Sequence, residues 1–296
     1  MGPGPDKKKL IMFASGQGHV FDVNIFRYEG ELAVPCGSLR KDNTLWIDAN
    51  GDGLETPDEV VKMEGIGING FSALVVDSKD NLLIGVPGMR GAFIRKFVCK
   101  GFTDAGVPIY GGDKEAGDYE DIAFPEEGGV TSGWSMRVRM DYDADRDILV
   151  AHYPRVPRDG ENDPTVPQYT LACYENWSKG NREPTWKIKG LSPWEEPDYF
   201  MYETDLFRAS YYMGMQLAGD YVFFTFLFGE IHVFDLATGK LVEILSMGPE
   251  VCGSCAWEDA AMGLRVFQRK NGEYMIFTEN GGWGGKNNFL RWKPEK

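Results

Sequence analysis

The sequence predicts an all-β fold built from repeated small antiparallel sheets. Its 296 residues include 37 glycines and 16 prolines, and 13% of the residues are aromatic. This composition favours many short strands joined by tight turns over long helices. With 43% hydrophobic and 26% charged residues, the chain also has enough apolar material for a large core, which excludes disorder, collagen and coiled coil.

A repeated unit refines this fold class. Residues 213–217 (MGMQL) reappear as residues 262–266 (MGLRV), and looser copies begin at Gly70 and Ser135. Each copy is followed by a polar turn and a second apolar run. Residues 230–245 then alternate on both sides of a glycine-containing turn, which indicates a hairpin. Four short antiparallel strands per unit predict a β-propeller of about five four-stranded blades.

The predicted blades account for most of a single domain, residues 1–296, with an acidic insertion at 45–60. They span residues 10–38, about 71–110, 134–188, 211–245 and 264–292. Each of these ranges is a predicted block that corresponds to one blade. The first block lacks an innermost strand and the last block lacks an outermost one. Two alternatives are therefore open: the chain ends complete one composite blade, or the blades belong to a longer propeller.

Two segments carry a resemblance to known propellers. Residues 75–84 (VVDSKDNLLI) and 231–242 (IHVFDLATGKLV) are similar to the blade motifs of bacterial NHL-repeat and six-bladed TolB-like propeller proteins. The resemblance covers most of the chain. It implies an architecture rather than an activity, because such propellers include binding modules, lyases, hydrolases and dehydrogenases.

The most specific motif is residues 48–59 (DANGDGLETPDE), which fit the twelve-position calcium loop without a gap. The loop resembles those of EF-hands and dockerins, although the preceding residues 44–47 read as a strand rather than a helix. Calcium prefers six to eight hard oxygen ligands, and Gly53 supplies the sharp turn. The predicted Ca²⁺ ligands are Asp48, Asn50, Asp52, the Leu54 carbonyl, Thr56 directly or through water, and Glu59. We expect a structural role for the ion; the alternative is a solvated acidic turn.

Loops around a propeller channel supply the other candidate site. The predicted ligand-binding residues are the aromatic side chains Trp134, Tyr211, Tyr212, Trp257 and Trp283. Weaker candidates for catalysis are His19, Arg90, Arg208, Glu258 and Asp259. Aromatic faces beside arginine suit a sugar, whose hydroxyls form hydrogen bonds while its C–H faces stack. The alternative is that these rings wedge neighbouring blades together.

Charge and hydropathy limit the partners. The net charge of −14 repels polyphosphate, so we expect no nucleic acid partner. The longest apolar stretch, residues 221–228, is far shorter than the roughly 20 residues of a spanning helix, so we expect no membrane insertion. From the N-terminal residues we expect no targeting signal in this sequence. Cys36, Cys99 and Cys173 are expected as small core residues, and Cys252 and Cys255 form either a local disulfide or two thiols.

Two functional hypotheses follow. The first is a calcium-stabilised binding module of a secreted bacterial protein, extracellular or periplasmic, that contacts carbohydrate or another protein domain. The second is a polysaccharide lyase or hydrolase with its site at the channel mouth. A cluster of His, Tyr and Arg around one pocket would favour the enzyme, and a flat aromatic strip would favour binding.

Overall fold

Antiparallel strands form nearly all of the regular structure that is described, with two 3₁₀ turns as the remainder. The computed structural model describes residues 2–3, 10–15, 22–63, 73–86, 92–124, 138–155, 168–189, 212–226, 230–246, 264–280 and 286–294. In these ranges the strands are arranged in five sheets, which we call sheets 1 to 5 in chain order. The prediction of an all-β class is confirmed.

Sheet 1 has six strands that follow one another in sequence order. They are β1 (Gly2–Pro3), β2 (Leu10–Ser15), β3 (Val23–Glu29), β4 (Leu32–Leu39), β5 (Thr44–Ile47) and β6 (Val60–Lys62). The acidic insertion joins β5 to β6, so it is the end of a hairpin bonded into sheet 1. The predicted first block ended at residue 38, and the strand predicted separately at residues 44–47 is β5 of the same sheet.

Sheets 2 to 4 have four strands each, and sheet 5 has three, again in sequence order. Sheet 2 contains β7 (Ala73–Val76), β8 (Leu82–Val86), β9 (Phe93–Phe97) and β10 (Tyr119–Ala123). Sheet 3 contains β11 (Arg139–Asp143), β12 (Ile148–Arg155), β13 (Gln168–Glu175) and β14 (Trp186–Lys189). Sheet 4 contains β15 (Tyr212–Ala218), β16 (Tyr221–Phe226), β17 (Glu230–Asp235) and β18 (Leu241–Ser246). Sheet 5 contains β19 (Arg265–Gln268), β20 (Tyr274–Asn280) and β21 (Lys286–Trp292).

The predicted blocks at 134–188, 211–245 and 264–292 match sheets 3, 4 and 5 closely. The predicted block at 71–110 was too short. The fourth strand of sheet 2 is β10, which follows a long connection that contains the Phe102–Pro108 bridge. The first block was expected to lack an innermost strand, which was wrong, because sheet 1 has six strands. Sheet 5 has three strands, as expected for a last block without an outermost strand.

Local side-chain hydrogen bonds fix the hairpin turns. Asp77 Oδ1 accepts the backbone N–H groups of Lys79 and Asn81 at 2.8 and 3.0 Å and closes the turn from β7 to β8. The turn from β17 to β18 uses Gly239 at φ +70°, a left-handed conformation that favours glycine. The acidic segment 141–147 forms the end of β11 and the turn to β12.

The core consists of four apolar clusters, each between two successive sheets. Side chains alternate along a strand, so neighbouring residues of a central strand enter different clusters. Phe224 packs towards sheet 3, for example, and Phe223 towards sheet 5. Burial on both faces explains why β16 reads as a continuous apolar run. It also makes Cys36 and Cys173 core residues with free thiols.

The first strands of sheets 2 to 5 lie side by side. β7 contacts β11, β11 contacts β15, and β15 contacts β19. Sheets stacked face to face, with their first strands adjacent, form a β-propeller-like arrangement. Within the described ranges, no helix is both long and apolar enough to cross a membrane.

Candidate functional site

The acidic loop at residues 48–59 has a defined place at the end of sheet 1. Its flanking strands β5 and β6 pair in antiparallel register, with Trp46 opposite Val60. The strand expected before the loop is therefore present. A single 3₁₀ turn, Pro57–Glu59, precedes β6 where an EF-hand would continue as a helix. The loop is thus an EF-hand-like sequence supported by a β-hairpin.

Two glycines give the loop its turns. Gly51 and Gly53 have φ angles of +81° and +77°, which disfavour residues with a side chain. Space is restricted as well. A Cβ at Gly53 would lie 2.9 Å from Val34 Cγ1, and one at Gly51 would lie 2.5 Å from Ala105 Cβ. The predicted role of Gly53 as the turn residue is consistent with both observations.

The predicted oxygen ligands organise the first half of the loop. Asp48 is fully buried, and its two carboxylate oxygens accept the N–H groups of Gly51 at 2.8 Å and Gly53 at 3.0 Å. Asn50 Oδ1 accepts the N–H of Asp52 at 2.8 Å. Asp52 Oδ1 in turn accepts a backbone N–H at 2.7 Å. Side chains at alternating positions therefore turn inwards onto the loop backbone.

Glu59 closes the loop. Its Oε1 accepts the N–H of Ala49 at 2.8 Å and that of Asn50 at 3.2 Å, while Oε2 accepts the Thr56 hydroxyl at 3.0 Å and the Trp46 indole N–H at 3.4 Å. Burial of the Glu59 carboxyl opposes its ionisation, but these donors outweigh burial and hold its pKa below the usual range. Glu59 therefore joins the start of the loop to its end as a carboxylate.

A buried arginine, which the sequence analysis missed, completes the loop. Arg27 on β3 is 4% exposed, and its Nη1 lies 2.5 Å from Asp48 Oδ2. Its Nη2 donates to the Gly51 carbonyl at 2.7 Å and to Glu29 Oε1 at 2.9 Å. Burial lowers the pKa of the Arg27 guanidinium, but its bonds to the two carboxylates raise it by more. The sequence contains one indication that Arg27 is buried, because alternation along β3 places it on the same face as Val23 and Ile25.

The loop residues match calcium in their oxygen chemistry and in their spacing along the sequence. They supply hard carboxylate, amide and carbonyl oxygens, and Asp48 and Glu59 are already held in a bent loop by backbone N–H groups. The charge of Arg27 opposes a cation, because it already neutralises Asp48. In the arrangement described, no three His, Cys, Asp or Glu side chains among the described residues are grouped closely enough to hold a metal ion. Binding would therefore require the carboxylates to turn towards one another.

A second feature is an exposed row of three phenylalanines on sheet 5, which we call the Phe face. Phe267, Phe277 and Phe289 come from β19, β20 and β21 and are 57%, 39% and 48% exposed. Phe277 and Phe289 are directly opposite each other, with ring centroids 4.9 Å apart. The centroids of Phe267 and Phe277 lie 6.1 Å apart. The other face of sheet 5 is buried against sheet 4.

The channel candidates mostly lie outside the described residues. These are His19, Arg90, Trp134, Arg208, Tyr211, Trp257, Glu258, Asp259 and Trp283. Tyr212 begins β15, opposite Phe226. The other two histidines are core residues: His152 and His232 are 1% and 4% exposed, and His232 Nε2 lies 3.2 Å from Glu230 Oε2. His232 belongs to β17, the third strand of sheet 4.

Comparison with known proteins gives distant structural similarities. No protein-family model and no curated protein matches the chain. Sqt1 of Saccharomyces cerevisiae is similar with a TM-score of 0.49 and 8% identity, over 97% of this chain and 69% of that one. The computationally designed Ika8 protein is similar with a TM-score of 0.43 and 13% identity, over 95% of this chain and 70% of that one. The designed Ika4 protein has a TM-score of 0.36 and 14% identity, over 77% and 94%. These similarities assign no family or activity.

Proposed function

We propose that this chain is a calcium-stabilised interaction module of five blade-like sheets that binds a protein partner through the Phe face. The observation that carries the proposal is the exposure of Phe267, Phe277 and Phe289 on one face of a sheet whose other face is buried. Soluble proteins rarely expose contiguous large apolar groups unless the surface binds something. A flat aromatic strip also favours binding over catalysis.

The chemistry of the Phe face supports a protein surface as its occupant. Phenylalanine has no hydrogen-bonding group, whereas a glycan needs polar partners for its hydroxyls as well as rings for stacking. The four described interfaces between sheets each bury an apolar sheet face of this kind. Arg265 is exposed and lies opposite Phe277 on the same sheet, in a chain that is acidic overall, whereas the exposed Arg291 is already paired with Glu273. The partner that fits has an apolar face, such as that of a β-sheet, with an acidic rim.

Site-specific photo-crosslinking tests the protein partner. A photoreactive phenylalanine analogue at position 277, in the chain expressed in its native host, should capture a discrete protein. The same analogue at Val61, which is 53% exposed on sheet 1, is the matched control. The captured protein, once purified, should bind the unmodified chain. Since truncating a central aromatic at an interface costs about 2 kcal/mol or more, Phe277→Ser should weaken that binding by about 30-fold, and Val61→Ser should leave it unchanged.

Other outcomes would contradict the proposal that the Phe face binds a protein partner. Capture only of a second copy of this chain would replace it with self-association. Binding to a glycan array that is lost in Phe277→Ser would replace it with carbohydrate. Equal affinity of the Phe277→Ser and Val61→Ser variants for the captured protein would exclude the Phe face as its binding surface.

The calcium part of the proposal rests on the loop sequence and on the enclosure of Asp48 and Glu59. Bound calcium would add to the free energy of unfolding by mass action, and an extracellular or periplasmic setting would keep such a loop filled. Plasma emission should find one calcium per chain. EDTA should lower the melting temperature, and Glu59→Gln should remove that sensitivity. Absence of calcium, together with identical melts, would leave residues 48–59 as an acidic turn.

A further inference from the structure

The positive charge of Arg27 lies where it would compete with a calcium ion for the acidic loop. Its guanidinium is buried and lies on Asp48, the residue at the first ligand position of the calcium motif. The same guanidinium bonds the Gly51 carbonyl, so it contacts the loop at two points. A calcium ion bound to Asp48 would share its carboxylate with the Arg27 guanidinium. The two positive charges would then lie close together and repel each other.

Arg27 has a second anionic partner outside the loop. Its Nε and Nη2 donate to Glu29 Oε1 at 3.0 and 2.9 Å, and the Glu29 side chain is 58% exposed. The guanidinium is therefore divided between a buried carboxylate of the loop and an exposed carboxylate of β3. It can release Asp48 and keep an ion pair, with no charge left buried and unpaired.

We propose that Arg27 sets the calcium affinity of the loop by competing with the ion for Asp48. The inference rests on the proposed calcium binding and concerns its regulation. In the calcium-free loop, Arg27 neutralises Asp48 and keeps the hairpin folded. In the calcium-bound loop, Asp48 is a metal ligand and Arg27 is held by Glu29. Arginine and calcium thus stabilise the same carboxylate in alternation.

Calorimetric titration with calcium chloride, paired with thermal melts, tests this exchange. Arg27→Met should bind calcium about 10- to 100-fold more tightly than the natural chain, because a like charge has been removed next to a ligand. In EDTA the same variant should melt at a lower temperature, because Asp48 is then buried without its cation. Saturating calcium should recover most of that loss. This reversal would not follow from a purely structural role of Arg27.

Two further variants test the competition even if Arg27→Met fails to fold. Glu29→Gln changes an exposed side chain and removes the alternative partner, so Arg27 should stay on Asp48 and calcium should bind several-fold more weakly. Arg40→Met is the matched control, because Arg40 pairs with the loop residue Glu55, which is not among the predicted ligands. It should leave the calcium affinity unchanged.

The outcomes separate this inference from the proposed function. Calcium binding by the natural chain with unchanged affinity in Arg27→Met and Glu29→Gln would overturn the competition alone. Binding only by Arg27→Met would support the competition and contradict calcium stabilisation of the natural chain. No calcium bound by any of these variants would overturn both.

Discussion

Asp141 Oδ2 accepts the backbone N–H of Leu217 at 2.8 Å, and this bond joins the first strands of sheets 3 and 4. Sheets 4 and 5 are joined in the same way. Gln216 Oε1 accepts the N–H of Val266 at 2.9 Å, and Gln216 Nε2 donates to the Val266 carbonyl at 3.3 Å. Sheets 3 and 4, and likewise sheets 4 and 5, are therefore tied near their first strands by a polar side chain, in addition to the apolar clusters between them.

We expect Asp141→Asn to make the chain more stable at neutral pH. Burial raises the pKa of Asp141 to about 6, although the N–H groups of Leu217 and Tyr142 favour its carboxylate. The folded state thus retains a proton that the unfolded chain releases near pH 4. The contribution of Asp141 to stability is full below about pH 4 and is lost as the pH rises through about 6. Asparagine keeps an oxygen for Leu217 and does not ionise, and it gives up only the acceptor for the adjacent Tyr142 N–H at 2.9 Å.

Urea unfolding between pH 4 and 8 measures this effect. Asp141→Asn should flatten the decline over that window and add about 1–2 kcal/mol at pH 8. Asp220→Asn, an exposed acid in the turn after β15, is the control and should behave as the natural chain. A curve for Asp141→Asn that runs parallel to the natural one would show that Asp141 is not protonated in the fold.

His152 should act in the opposite direction. Burial and, secondarily, the charge of Arg139 lower the pKa of His152 to about 3. Neutral imidazole is favoured in the fold, so its stabilising contribution is present above pH 6.5 and is lost as the pH falls towards 3. His152→Gln should reduce the acid-induced loss of stability. In the natural chain, the NMR shifts of the His152 ring protons should stay constant down to pH 4.5, and a titration near pH 6.5 would contradict this expectation.

Gln216→Met should loosen the contact between sheets 4 and 5. The variant retains the length of the side chain but removes both hydrogen bonds to Val266, which should cost about 1–3 kcal/mol of unfolding free energy. Gln216→Glu keeps an acceptor for the Val266 N–H but faces its carbonyl with a second oxygen, so its stability should fall between the two. Equal stability of all three chains would show that the apolar cluster alone holds these sheets together.

Gly85→Ala should force sheets 2 and 3 apart. A Cβ at Gly85 would lie 2.7 Å from Val138 Cγ1 and 2.8 Å from Val138 Cβ, and neither atom is the end of a flexible side chain. Overpacking of this kind costs about 1–3 kcal/mol. Combining Gly85→Ala with Val138→Ala makes room for the new methyl group, so the double variant should lose less than the sum of the two single losses. Additive losses would mean that the two positions do not collide.

Features set by neighbouring residues could be predicted from the sequence. The hairpin at Gly239 and the turn at Asp77 depend on a few adjacent residues, and the corresponding strand pairs form as expected. The repeat at 213–217 and 262–266 correctly located β15 and β19. The spacing of oxygen-bearing side chains from Asp48 to Glu59 predicted a compact loop for the same reason.

Contacts distant in the chain were decided by the tertiary structure. Arg27 reaches Asp48 across 21 residues, and a spacing of that length has no sequence signature. The fourth strand of sheet 2 was not predicted, because a long connection precedes β10 and hydrophobic alternation does not show which strand a segment will pair with. Alternation places Phe277 and Ile276 on opposite faces of β20. Only the packing of sheet 5 on sheet 4 determines that Ile276 is buried and Phe277 is exposed.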